Sequence, residues 1–235
     1  MKTRVLSALV GIAVLIVVLN FFETPVLNVA IMVIALLAVY EFLTKISHNN
    51  LLSAVAYLVA ATFPYIGLKK EMNLLPIFLL PYIALLFLIL LRTHKDTRVE
   101  DVAMVFMMSI GIPLSLSSAI YLRDNNGYTM GLFYLLLALC CAWYSDTGAY
   151  FVGRAWGKHK LCPQVSPHKT VEGLVGGLVT CILLNLLTAF IFQKVSGYLG
   201  VPLQINYLRL LLISPLASLI SVLGDLSFSM IKRGF

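Results

Sequence analysis

The sequence predicts an all-α protein, a polytopic transmembrane helix bundle of about eight spans with its N-terminus on the cytoplasmic side. Three observations carry this. Hydrophobic residues make up 60% of the chain and charged residues 11%, against about 45–50% and about 25% in a soluble domain. The apolar residues come in long blocks and not at amphipathic spacing, so the solvent they meet is lipid. The basic residues gather in alternate connections, as positive loops held on the cytoplasmic side do.

The first block, Val5–Phe22, follows Lys2 and Arg4 and so has the outline of a signal peptide. It lacks a small-residue cleavage site, and a second block begins directly after Phe21-Phe22-Glu23-Thr24-Pro25, which reads as an uncleaved first helix. Further spans follow at Val26–Leu43, Leu51–Leu68, Leu74–Leu91, Val102–Leu122, Met130–Phe151, Val171–Phe192 and Leu208–Ile231. No linker, repeat or low-complexity tract interrupts them. The expectation is a single integral membrane domain over 1–235, with N-terminal spans in 1–129 and the catalytic region in 130–235.

With the N-terminus cytoplasmic, twelve of the 17 basic residues fall on that side and five (Lys69, Lys70, Arg123, Lys194 and Arg209) on the other. The net charge of +7 is then mostly a topology signal that also suits anionic headgroups and phosphates, and no nucleic-acid partner is needed to explain it. Cys140, Cys141, Cys162 and Cys181 show neither zinc-site spacing nor a disulfide framework, and packing is their ordinary explanation.

Polar chemistry concentrates on that same face, in two places. In Trp143-Tyr144-Ser145-Asp146-Thr147-Gly148-Ala149-Tyr150 the carboxylate of Asp146 sits inside an apolar helix, where insertion costs about 2.5–3.5 kcal/mol. Tyr150 and Arg154 follow at i+4 and i+8 on one side of that helix. An aspartate satisfied by water or lysine at a helix end is the plain alternative. Cys162-Pro163-Gln164-Val165-Ser166-Pro167-His168-Lys169-Thr170 reads as a loop by its prolines. Ser166 and Thr170 are candidate caps for the next helix, whose N-terminal amides suit an anion, and Lys169 adds a point charge for phosphate. Lys158 and Lys169 also have a topological explanation, and Glu172 would equally complement the helix dipole. Gly173, Gly176 and Gly177 share a face that lets another backbone approach, with ligand contact a secondary reading.

On the last helix Asp225, Ser229 and Arg233 are spaced i, i+4, i+8, with Lys232 alongside. The two cations alone would be ordinary snorkelling residues; Asp225 is a buried acid about two turns from the helix end. Two intramembrane aspartates beside basic loops suggest a magnesium and phosphate site, since magnesium takes one or two carboxylates plus substrate phosphates.

At these residues the sequence resembles the phosphatidate cytidylyltransferases, or CDP-diacylglycerol synthases. The similarity runs through S-D-T-G-A-Y-F-V-G-R-A-W-G-K-H-K-L-C-P-Q-V-S-P-H-K-T-V-E-G-L-V-G-G, Ser145–Gly177, and resumes at G-D-L-S-F-S-M-I-K-R, Gly224–Arg233. The resemblance implies Mg2+-dependent transfer of CMP from CTP to phosphatidic acid in phospholipid biosynthesis, in a bacterial inner membrane. It implies Asp225 as metal ligand, Lys232 and Arg233 as phosphate ligands, and Ser166, Lys169 and Thr170 in the nucleotide cradle, with Arg154, Lys158 and Ser229 nearby. Asp146 is either a second metal ligand or the structural partner of Arg154. A homodimer is a further expectation.

The family pattern continues beyond S-x-x-K-R to a Lys-Asp pair, a Pro-Gly-His-Gly-Gly segment and an Asp-Arg pair, whereas this chain stops at Gly234-Phe235. The expectation is therefore a C-terminally truncated form with little or no turnover. Two other classes stay open: an ion- or proton-coupled transporter using Asp146 and Asp225, and a non-catalytic degenerate paralogue.

Overall fold

The computed structural model describes residues 2–46, 49–66 and 74–234, with the side chains of 2–5, 7–8, 74–76 and 232–234 outside the description. Seven helices form among the described residues: α1 (Lys2–Asn20), α2 (Val26–Ile46), α3 (Asn50–Ile66), α4 (Leu74–Arg92), α5 (Val99–Trp156), α6 (Val171–Tyr198) and α7 (Tyr207–Gly234). Of these α2, α5, α6 and α7 are long and apolar enough to cross a membrane, and α1, α3 and α4 contain shorter apolar stretches. The chain is an integral membrane protein. The predicted end of the third span at Leu68 lies outside the described residues, as do Lys69 and Lys70.

The predicted fifth and sixth spans fall within α5, two helical segments that meet at a break at Gly127, whose φ of 71° and ψ of 175° leave helical geometry. That backbone region is nearly closed to residues with a Cβ. The chain turns sharply there, because a Cβ on Gly131 would lie 2.9 Å from the carbonyl of Leu122. One expectation changes: the predicted loop holds a small β-hairpin, β1 (Lys160–Cys162) antiparallel to β2 (Ser166–Thr170), with Lys160 opposite Thr170 and Cys162 opposite Ser166.

The chain groups into two compact units, residues 1–132 and 133–235. In the first, buried α2 residues recur about every four positions (Leu27, Ile31, Ala35, Val39, Leu43), which places them on one helix face. Val39 and Leu43 pack with Leu52, Ala56 and Ala60 of α3, Tyr82 and Leu86 of α4, and Val105 of α5. Polar side chains tie this unit where backbone groups would otherwise be orphaned. Asn28 Nδ2 donates to the carbonyl of Pro64 near the end of α3 at 2.7 Å, and its Oδ1 accepts from Arg123 Nη1 at 2.8 Å.

The second unit contains the rest of α5, the hairpin, α6 and α7. Here α5 and α6 approach so closely that side chains are excluded. A Cβ on Gly177 would fall 2.7 Å from the carbonyl oxygen of Ser145, and one on Gly173 2.8 Å from that of Ala149. A Cβ on Gly176 would overlap the side chain of Val152, and one on Gly148 would lie 2.5 Å from Thr180. The glycine stripe is thus a packing surface, as small residues in membrane helices usually are. Helix α7 joins α5 through Ser218 and Ser145, both fully buried, with their hydroxyls 2.6 Å apart.

Candidate active site

The hairpin and helix ends of the second unit enclose a cavity of about 450 Å³, walled by Asp146, Tyr150 and Arg154 of α5, His168, Lys169 and Thr170 of β2, Gly173 of α6 and Asp225 of α7, with apolar residues between them. Each polar wall has a local cause. Asp146 follows Ser145, the residue clamped to α7, so that clamp sets its helix register. Asp225 lies seven residues after Ser218, two turns along the same face of α7.

Lys169 reaches across from the hairpin, its Nζ 2.5 Å from Asp225 Oδ2. The charges that Asp146 feels are Asp225 and Lys169, so two carboxylates and one ammonium act on one another here. Asp225 is 57% exposed. The expectation of a buried acid is corrected: its helix turns it into an open cavity, where a carboxylate needs no burial to be held in place.

Thr170 ends β2 and caps α6, its hydroxyl accepting from the Gly173 amide at 3.1 Å. It is buried against α5, since Cβ atoms on Gly153 and Gly157 would meet its side chain at 2.9 and 2.8 Å. The cap is therefore Thr170 and not Ser166, which lies half-buried within β2 opposite Cys162 and outside the cavity wall. Arg154 donates to the Tyr150 hydroxyl at 3.0 Å. That contact, not Asp146, is its partner, so of the two expectations for Asp146 the pairing with Arg154 is not what forms.

Lys158 also stands outside the wall; its backbone amide donates to Glu172 Oε2 at 3.1 Å. Ser229 sits half-buried one turn beyond Asp225, again outside. Lys232 and Arg233 continue α7, and their side chains lie outside the described residues.

Sequence reasoning missed His168, which the hairpin carries to the cavity next to Lys169. It also missed the work of Glu172, whose carboxylate accepts the amides of Lys158 and His159 and meets His159 Nδ1 at 2.6 Å. Glu172 in the first turn of α6 thereby fastens the entry to the hairpin, and the helix dipole alone does not describe it.

Asp146 and Asp225 line one cavity beside Lys169. Carboxylates are the hard oxygen donors that magnesium takes one or two at a time, with substrate phosphates completing its shell.

The profile of the cytidylyltransferase family matches residues 2–235. The chain is similar to the phosphatidate cytidylyltransferase of Bacillus subtilis (strain 168), 39% identical over 158 residues; that match spans 65% of this chain and 55% of the relative. It is similar to the protein of the same name from Haemophilus influenzae, 33% identical over 99% of this chain and 86% of the relative, and to that from Staphylococcus haemolyticus, 29% identical over 100% and 86%. With a profile match over nearly its whole length and a site of acidic and basic residues at one cavity, this integral membrane chain belongs to the cytidylyltransferase family of nucleotidyltransferases.

Proposed function

We propose that the chain transfers the cytidylyl group of CTP to phosphatidate, releasing pyrophosphate and forming CDP-diacylglycerol. The observation that carries this is the convergence of Asp146, Asp225 and Lys169 on one cavity, with Arg154 on the same wall. In the reaction a phosphate oxygen of phosphatidate attacks the α-phosphorus of CTP. A phosphorus–oxygen bond forms, and the bond to the β-phosphate bridging oxygen breaks. A phosphate monoester is already largely ionised at neutral pH, its second pKa being about 6 in phosphorylated residues, so the nucleophile needs no dedicated base. Rate must come from positioning and charge neutralisation.

Lys169, paired with Asp225, turns to a phosphate oxygen when CTP binds. Arg154, oriented by Tyr150, offers a planar donor fork to a second phosphate. Asp146 and Asp225 are the residues that would hold Mg2+, which when bound supplies positive charge to the triphosphate. Lys232 and Arg233, two turns beyond Asp225 on α7, are assigned to the phosphates by the similarity of their motif. Ser166, Lys158 and Ser229 support the hairpin and α7 and do not touch substrate in this reading.

We place the N-terminus and the site on the cytoplasmic face of a bacterial inner membrane, where CTP is available, with about eight spans counted by splitting α5 at Gly127. The two units are read as parts of a single membrane domain. A homodimer is part of the same reading.

The test is binding of radiolabelled CTP to the purified chain, with phosphatidate-dependent pyrophosphate release measured beside it. Binding that requires magnesium and is lost in Asp225→Asn is the expected result. Magnesium-dependent binding that persists unchanged in Asp225→Asn removes Asp225 from the site, and ion flux in liposomes without nucleotide replaces the transferase with a transporter.

A further inference from the structure

Below the cavity, the second unit holds a polar cluster that cytidylyl transfer does not use. Cys141 of α5 and Cys181 of α6 are 4% and 0% exposed, and their sulfurs lie 3.0 Å apart. Asn185 Nδ2 donates to Cys181 Sγ at 3.5 Å and to Ser214 Oγ at 3.1 Å. The carbonyl of Ser214 on α7 accepts from both thiols, at 3.8 and 3.6 Å. The sequence kept this hidden, because the two cysteines are 40 residues apart and meet only when α5 and α6 pack.

Three readings compete. Cysteine as a small apolar filler explains burial, but not two thiols facing each other. A shared metal is too large for the gap: sulfurs each about 2.3 Å from a tetrahedral zinc stand about 3.8 Å apart. No third His, Cys, Asp or Glu joins them among the described residues. A thiol–thiol hydrogen bond accounts for the contact in the reduced chain, and the same adjacency leaves the pair ready for direct sulfur–sulfur chemistry.

We propose that Cys141 and Cys181 are a modification site, joined by an apolar hydroperoxide into an intramembrane disulfide that pins α5 to α6. One sulfur attacks the peroxide, breaking its O–O bond to give a sulfenic acid and an alcohol. The second sulfur then displaces the hydroxyl as water, and the S–S bond forms. The two thiol protons end in the alcohol and the water; the thiols lose two electrons and the peroxide gains them. Ser145, one turn after Cys141, is the residue bonded to Ser218 of α7, so the crosslink lies one helical turn from the contact that sets the register of Asp146. The proposal stands independently of the cytidylyl-transfer reading.

The test uses the full chain in lipid vesicles, treated with cumene hydroperoxide, denatured, alkylated and digested with trypsin, which cuts at Arg154 and Lys169 between the two cysteines. Expected is a joined pair of peptides carrying Cys141 and Cys181, lighter by two hydrogens and separated by reductant, while Cys140 and Cys162 are alkylated. The pair should persist in Cys140→Ala and vanish in Cys181→Ala. Alkylation of all four cysteines in the oxidised wild-type chain overturns the proposal, as does pairing of Cys141 with any other cysteine. The wild-type measurement decides the matter even if a variant fails to fold.

Discussion

Replacing Gly177 by alanine adds a single methyl group at the closest approach of α5 and α6. That Cβ would stand 2.7 Å from the Ser145 carbonyl oxygen, whereas ordinary contact begins at 3.4 Å. The helices must therefore part by the difference, about 0.7 Å, because the opposing atom is backbone and has no rotamer to give. Overpacking of this kind costs about 1–3 kcal/mol. It is partly offset by the better helix propensity of alanine, about 1 kcal/mol.

Gly224→Ala in α7 isolates the propensity gain, since a Cβ there meets nothing within 4 Å. The propensity contribution cancels between the two variants and the overpacking cost remains, so Gly177→Ala should be less stable than Gly224→Ala by about 1–3 kcal/mol. For a chain of this size that is a separation of about 2–12 °C in thermal midpoint, read by circular dichroism in one detergent. Equal midpoints would refute the close-approach argument.

Four further outcomes follow from the geometry. Thr170→Ala removes the cap on Gly173 and should cost about 1 kcal/mol, with Thr170→Ser losing little, checked by the same melts. Glu172→Gln should speed amide hydrogen exchange at Lys158 and His159, which lose their charged acceptor, while exchange in the body of α6 is unchanged. Ser145→Ala leaves the Ser218 hydroxyl buried without its partner and should cost about 1–3 kcal/mol. The double variant with Ser218→Ala should cost less than the two single costs added, measured as a coupling energy. Lys169→Met should weaken magnesium-dependent CTP binding without displacing Asp225 from the cavity, measured by isotherms at several salt concentrations; an unchanged affinity would leave Lys169 as a structural counter-ion only.

The helices were legible because they are written as uninterrupted apolar blocks, and most of their described ends move by only a few residues. The aspartates were legible for the opposite reason, being charges in such blocks. What stayed hidden depends on contacts between distant residues. Lys169 and Asp225 are 56 positions apart, and nothing local announces their ion pair. The hairpin is too short for alternation to register, and the prolines at 163 and 167 read as plain loop. Ser166 was chosen as a cap on residue type, yet a cap is decided by which residue stands at the first turn, and that is Thr170. Lys158 and Ser229 were drawn in by proximity along the chain, which the fold does not convert into proximity at the cavity.

The break at Gly127 bears on how the protein is made. At about 1.5 Å per residue, the 58 residues of α5 would extend about 87 Å as a straight rod, nearly three times the ~30 Å hydrocarbon thickness. Residues 99–126 and 128–156 are each a membrane crossing in length, joined by a single non-helical position. On the eight-span reading, a connection this short leaves no loop to separate the insertion of one segment from that of the next. A bulky residue at Gly127 would then act first during insertion, as misoriented or unfinished chains, before any effect on the finished enzyme could be measured.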